Sequence, residues 1–193
     1  MRTERLAAFS DGVFAIAITL LALELPRPEG DDLWHELATQ WEAYAAFIVS
    51  FLTVGIIWVN HHALVDRVAR ADRTLLFLNL LLLMWVSLIP WPTALVADHL
   101  SNDGAEAATA VFSAVFLGMA LSFSAVWVHA RRAGQLTGLT AAQLAHLSRR
   151  NGRGWVFYAT ALGLAFVAPA ASLALNFAIA VYYLLPDRAA RLA

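Results

Sequence analysis

Ser10 and Asp11 sit inside an otherwise apolar run spanning residues 6–25. A carboxyl group in hydrocarbon needs a partner or a proton, because an unpaired charge there is costly. Asp11 lies about one and a half helical turns into that run. A second apolar run, residues 43–59, contains Trp58 and is followed at once by Asn60, His61 and His62; Asn79 stands near the start of a third. If these three runs cross a membrane in alternating directions, all of these groups share one depth. Such a set can pass protons or hold a cation. It can also hydrogen-bond internally and fix how helices one, two and three pack. Both readings are open from the residues alone. Adjacent His61 and His62 point about 100° apart on a helix, which makes a poor pair for one metal. No tightly bound metal is expected, and the absence of cysteine excludes thiolate sites and disulfides. There is no Gly-x-Ser-x-Gly, no His-Glu-x-x-His and no facing carboxylate pair, so no catalytic residue, no cofactor and no enzyme activity are expected.

The elements that must hold these groups are apolar to an unusual degree. Of 193 residues, 61% are hydrophobic and 14% charged, against roughly 45–50% and 25% in soluble domains. The missing polar surface implies lipid as the second solvent. The net charge of −1 gives no reason to expect nucleic acid. Apolar runs cover residues 6–25, 43–59, 75–97, 107–128 and 155–185. The last is too long for one crossing, and Pro169 lies near its middle, so it reads as two short helices; a single tilted, kinked helix is the alternative. Loop charge favours the first. With six spans and a cytoplasmic N-terminus, twelve of the thirteen arginines fall inside, Arg188 and Arg191 among them, and only Arg27 falls outside. The outer loops are acidic, with Glu29, Asp31, Asp32, Glu36 and Glu42 in one and Asp98, Asp103 and Glu106 in another. Trp41 and Trp91 mark outer ends; Trp58, Trp127 and Trp155 mark inner ends.

The expectation is therefore an all-α integral membrane protein of the cell (inner) membrane, with both termini cytoplasmic. It has one domain over residues 1–193 and spans near 6–25, 43–62, 75–97, 106–129, 154–168 and 170–186. The first run is also compatible with a signal peptide, but Ser10 and Asp11 interrupt it and further spans follow. Residues 31–42 read as a helix that continues into span two, capped by Asp31 or Asp32. Residues 140–150 read as a short cytoplasmic helix with capping-box spacing at Thr140 and Gln143.

Span one carries one more pattern. Ile16, Leu20 and Leu23 follow at i, i+4 and i+7 and share a face, with Gly12 one turn earlier and Thr19 at its edge. By spacing alone such a stripe faces lipid or packs against other helices. The segment Arg5-x-x-x-Phe9-Ser10-Asp11, followed by Gly-Val-Phe-Ala-Ile-Ala-Ile-Thr-Leu-Leu, resembles the signature of the transmembrane protein 175 family of potassium channels. Trp58, His61, His62 and Asn79 add to the resemblance, and the six-span layout covers the whole chain. One copy of the motif is similar to the prokaryotic branch, which implies a homotetramer in membrane lipid with helix one lining a central pore. The resemblance further implies a hydrophobic constriction at Ile16, Leu20 and Leu23 and a potassium-preferring layer at Thr19. It implies a packing network of Arg5, Phe9, Ser10 and Asp11 with Trp58, His61, His62 and Asn79, and permeant potassium as the bound species. Asp11 and the histidines keep a proton channel or proton-coupled carrier as the other reading.

Overall fold

The computed structural model describes residues 3–28 and 30–184, without the side chains of residues 152 and 153. Arg2, Glu29, Arg188 and Arg191, used above for loop charge, lie outside the described residues. The described chain is helical: α1 (Thr3–Leu20), prolonged by a 3-10 turn (Leu21–Glu24), then α2 (Leu33–Thr39), α3 (Trp41–Val65), α4 (Arg73–Leu88), α5 (Pro90–His99), α6 (Ala105–Arg132), α7 (Ala141–Ala165) and α8 (Pro169–Leu184). Among the described residues, four segments are long and apolar enough to cross a membrane: Thr3–Glu24, Trp41–Val65, Arg73–His99 and Ala105–Arg132. Pro169–Leu184 is a shorter apolar helix. The chain is a multi-pass membrane protein.

Local chemistry explains the breaks. The third span is α4 and α5 joined at Ile89. Pro90 and Pro92 have no N–H to give the preceding turn, and the Ile89 N–H closes on the Val86 carbonyl at 3.2 Å instead. Asp32 caps α2 through the His35 N–H at 3.1 Å; a break at Gln40 then separates α2 from α3, where the sequence suggested one continuous helix. In the long apolar stretch from Trp155, α7 ends at Ala165 and α8 begins at Pro169. Proline suits a first helical turn and disfavours helix in the residue before it.

One expectation is corrected. The cytoplasmic helix over residues 140–150 and the span near 154–168 are not two elements, because α7 runs unbroken from Ala141 to Ala165. The Thr140–Gln143 capping box starts it, with bonds of 2.9 and 3.2 Å. Asn151-Gly152-Arg153-Gly154 looks like a helix breaker, yet Gly154 serves packing: a Cβ there would lie 2.9 Å from the Tyr183 hydroxyl of α8.

Helix α6 is the hub of the bundle and packs on α4, α5, α7 and α8. Phe112, Phe116 and Met119 are fully buried along it. At Gly118 the Trp85 ring of α4 lies so close that a Cβ would meet it at 2.5 Å, so only glycine permits this approach. Helix α1 packs on α3 and α4. At the ends of α3 and α6 the connecting loops are tied by an isolated bridge, Val68 to Leu136, with the Ala69 N–H donating to Gln135 and the Thr137 N–H to Arg67, each at 2.9 Å.

Candidate functional site

Helix α1 buries Leu6, Ser10, Phe14 and Ala17 against its neighbours. Ser10 is the polar member of that face. Its hydroxyl donates to the Leu6 carbonyl at 2.8 Å, a bond back along its own helix. Its oxygen then accepts from Asn79 Nδ2 of α4 at 3.0 Å. Asn79 Oδ1 lies 2.7 Å from His61 Nε2 of α3. These bonds constrain each other. The Ser10 hydrogen is committed to Leu6, so Asn79 turns its amide nitrogen to Ser10 and its oxygen to His61. His61 must therefore carry a proton on Nε2. The chain of three bonds runs one way, from imidazole to backbone carbonyl, and two of them tie α1, α3 and α4 together. All three side chains are buried, and Phe14 stacks at a tilt on His61 with centroids 5.4 Å apart.

The remaining motif residues sit elsewhere. Asp11, one residue after Ser10, turns about 100° away and accepts from Trp58 Nε1 at 2.8 Å on an exposed edge. His62 turns away from His61 in the same manner. It lies against the Trp58 ring at 5.8 Å and 3.6 Å from Asp66, half exposed. The sequence grouped all these side chains as one network; the structure divides them into a buried core of Ser10, His61 and Asn79 and an exposed edge of Asp11, Trp58 and His62. Phe9 is 56% exposed, and Arg5 is exposed with no hydrogen bond to either group among the described residues. Asn60 bonds back to the Ile56 carbonyl at 2.9 Å and joins neither.

The stripe lies on the opposite side of α1. Ile16 is 62% exposed, Leu20 40% and Leu23 72%. Between them, the exposed Thr19 hydroxyl donates back to its own helix, with the Ala15 carbonyl at 3.0 Å and the Ile16 carbonyl at 2.9 Å. Its hydrogen is thus occupied, and its oxygen lone pairs are left for whatever passes outside.

Two further polar clusters were not anticipated. Asp72 caps α4 by accepting from the Leu75 N–H at 2.8 Å, and it also meets His129 Nε2 at 2.9 Å and Gln135 Nε2 at 2.7 Å. The Leu75 N–H and then the His129 bond hold its carboxyl below the ordinary aspartate range. The capping position of Asp72 before an apolar run was legible; its tie to a loop more than fifty residues away was not. The second cluster joins α6 to α8: Asn176 Nδ2 donates to Ser113 Oγ at 3.0 Å, and Ser172 Oγ lies 3.1 Å from Ser113 and donates to the Ala161 carbonyl at 2.7 Å. An asparagine inside the last apolar run was the available signal. Among the described residues no group of three or more His, Cys, Asp or Glu is placed to hold a metal ion.

Comparison with known proteins gives a consistent picture. Residues 5–90 match the family model described as endosomal/lysosomal potassium channel TMEM175. A potassium channel of Streptomyces collinus is 50% identical over 185 residues, covering 93% of this chain and 90% of that protein. The crystal structure of a lysosomal potassium-selective channel TMEM175 homolog from Chamaesiphon minutus superposes with a TM-score of 0.86 at 36% identity, covering 94% of this chain and 96% of that one. A more distant relative, the endosomal/lysosomal proton channel TMEM175 of Gallus gallus, is 33% identical over 66% of this chain and 28% of its own length.

Proposed function

The chain belongs to the TMEM175 family, and on that premise we propose that it is a potassium-selective cation channel, assembled from four copies around a pore lined by α1. The α1 stripe carries this reading. Ile16, Leu20 and Leu23 are exposed on a helix whose other side is fixed by a buried polar core. A closed ring of identical subunits would turn four such stripes toward a common axis. Apolar rings of this kind gate by excluding water, and they open by widening. The Thr19 oxygen, with its hydrogen already given to the helix, supplies a lone pair toward the axis. Four such oxygens replace part of a hydration shell and give moderate selectivity without a backbone-carbonyl filter. The Ser10–Asn79–His61 bonds hold the helix while its stripe works. In this arrangement the Trp155–Ala165 half of α7 and the whole of α8 complete six spans. Arg67 and Arg70 of the α3–α4 loop, Arg131 and Arg132 at the end of α6, and Arg149 and Arg150 in the first half of α7 face the cytoplasm of the cell membrane, as do both termini.

A proton channel is the competing reading, since relatives in animals carry that description. The direction of the hydrogen-bond chain speaks against a relay through the buried core, because it ends on the Leu6 carbonyl. Protein reconstituted into liposomes should release potassium down its gradient faster than empty vesicles, with a reversal potential in mixed salts that favours potassium over sodium. Flux equal to that of empty vesicles, across a range of pH and voltage, would exclude channel function. Flux that tracks only the proton gradient would select the second reading.

A further inference from the structure

Helix α2 stands between the first span and the second, and none of its 7 residues is buried within the chain. The helix is nevertheless sorted into two sides. At 100° per residue, Leu33, Trp34, Leu37 and Ala38 share an arc of about 140°, and His35, Glu36 and Thr39 fill the rest. An apolar arc of this kind ordinarily faces the core of its own chain. Here it faces out: Trp34 is 83% exposed, and Leu33 is exposed beside it. We infer that α2 lies in the membrane interface at the start of span two, the outer one in the proposed orientation. Its Leu33–Trp34 side is set into the headgroup and upper acyl region of the lipid.

Only Gln40 separates α2 from Trp41, the exposed indole that opens span two. Continued straight along that span, the helix would lift Trp34 about 10 Å beyond Trp41. The headgroup layer on each side of a bilayer is about 5–8 Å thick, so Trp34 would then stand in water. Gln40 leaves helical geometry, with φ −88° and ψ 24°, and the axis can turn there. A helix laid along the surface keeps both indoles in the layer that such rings prefer.

The apolar side of α2 also continues a surface of the span. Trp41 and Ile48, seven residues apart on α3, are both exposed. Together they line an apolar groove of about 380 Å³ with Ala170, Leu173 and Phe177 of α8. Trp34, seven residues before Trp41, extends that surface past the end of the span. Glu42, beside Trp41, bonds the Ser101 hydroxyl in the loop after α5. At this end the polar side meets the chain's own loop, and the indole side turns away from it. Helix α2 carries no lysine or arginine, so indole and apolar contact holds it, not attraction to anionic headgroups.

The chain has no cysteine, so single cysteines can be spin-labelled without other changes. Leu33→Cys, Trp34→Cys, His35→Cys and Thr39→Cys in the full chain are labelled and read by power saturation in phosphatidylcholine vesicles. Oxygen is the relaxant on the lipid side and a nickel chelate the one on the water side. The oxygen-to-nickel accessibility ratio should be at least about threefold higher at positions 33 and 34 than at 35 and 39. Nickel access to all four positions without that contrast would put α2 in water and overturn the inference. Labels at 33 and 34 shielded from both relaxants would overturn it as well, and would give the face to a neighbouring copy of the chain. Accessibility is read without measuring flux and at any subunit count, so either failure leaves the channel reading intact.

Discussion

Helices α1 and α6 are equally apolar and are used in opposite ways. Their most hydrophobic windows have mean hydropathies of 2.1 and 2.0, yet 28% of the first is buried within the chain against 50% of the second. Helix α6 is enclosed by α4, α5, α7 and α8. Helix α1 commits one face to α3 and α4 and leaves the other, with Ile16, Leu20 and Leu23, uncovered. Hydropathy reports transfer from water and is silent on whether lipid, the same chain or another copy receives the helix. In lipid no hydrophobic force draws helices together, so packing and hydrogen bonds decide. Helix α1 follows that rule: its hold on the bundle includes a hydrogen-bonded core and not apolar contact alone.

The largest test of the contrast is at the hub. Phe116 is fully buried on α6, against Phe112 at 4.4 Å and Tyr158 at 5.9 Å between centroids. Phe116→Ala should lower the unfolding free energy by about 3–5 kcal/mol, as for large aromatic deletions in packed cores. Denaturant titration in mild detergent checks this; a loss below about 1 kcal/mol would mean that α6 does not anchor the bundle.

Next comes the core that binds α1. Asn79→Leu keeps the size and removes both bonds at once, leaving Ser10 Oγ and His61 Nε2 buried without their partner. The expected cost is about 1–3 kcal/mol, accompanied by faster hydrogen exchange in α1 than in α6. Equal exchange in the two helices would show that apolar packing alone retains α1.

Part of this arrangement was legible in the sequence. Alternating span direction put Ser10, His61 and Asn79 at one depth, and those three do meet, because a buried polar group in hydrocarbon has few places to find a partner. What could not be read was azimuth. Residue types at one depth do not say which of two adjacent side chains points inward, so Asp11 and His62 were grouped with Ser10 and His61 although they face the other way. The fused α7 was hidden for a related reason. Gly152 and Gly154 signal a break by local preference, but the Tyr183 side chain needs the space at Gly154, and tertiary contact overrides propensity. The tie from Asp72 to His129 in the last turn of α6 and to Gln135 in the loop after it depends on distant segments meeting, which no local pattern encodes.

That tie gives a smaller, pH-dependent effect. The Asp72 carboxyl titrates below its ordinary range when folded, so its contribution is fully present above the unfolded value of about 3.8 and is lost as pH falls through the lower folded value. Asp72→Asn should therefore lower the melting temperature at neutral pH and flatten its decline below pH of about 4. An identical acid limb in wild type and variant would remove Asp72 from the account. The effect is modest because the site is exposed and open to solvent.

The smallest change in stability is expected where the contrast is sharpest. Ile16 is 62% exposed and does not belong to the buried core. Ile16→Asn should shift unfolding by no more than about 0.5 kcal/mol, as is usual for substitutions outside buried features. The same substitution places an amide in each subunit's part of the proposed constriction. A polar ring lowers the cost of keeping water there, so basal potassium flux in liposomes should rise while the fold is unchanged. The corresponding change on α6, at buried Phe116, would reverse the pattern, with stability lost and no direct route to conduction. If Ile16→Asn instead destabilised the protein and left flux as it was, α1 would be an ordinary packing helix like α6, and the uncovered stripe would have to be assigned to lipid.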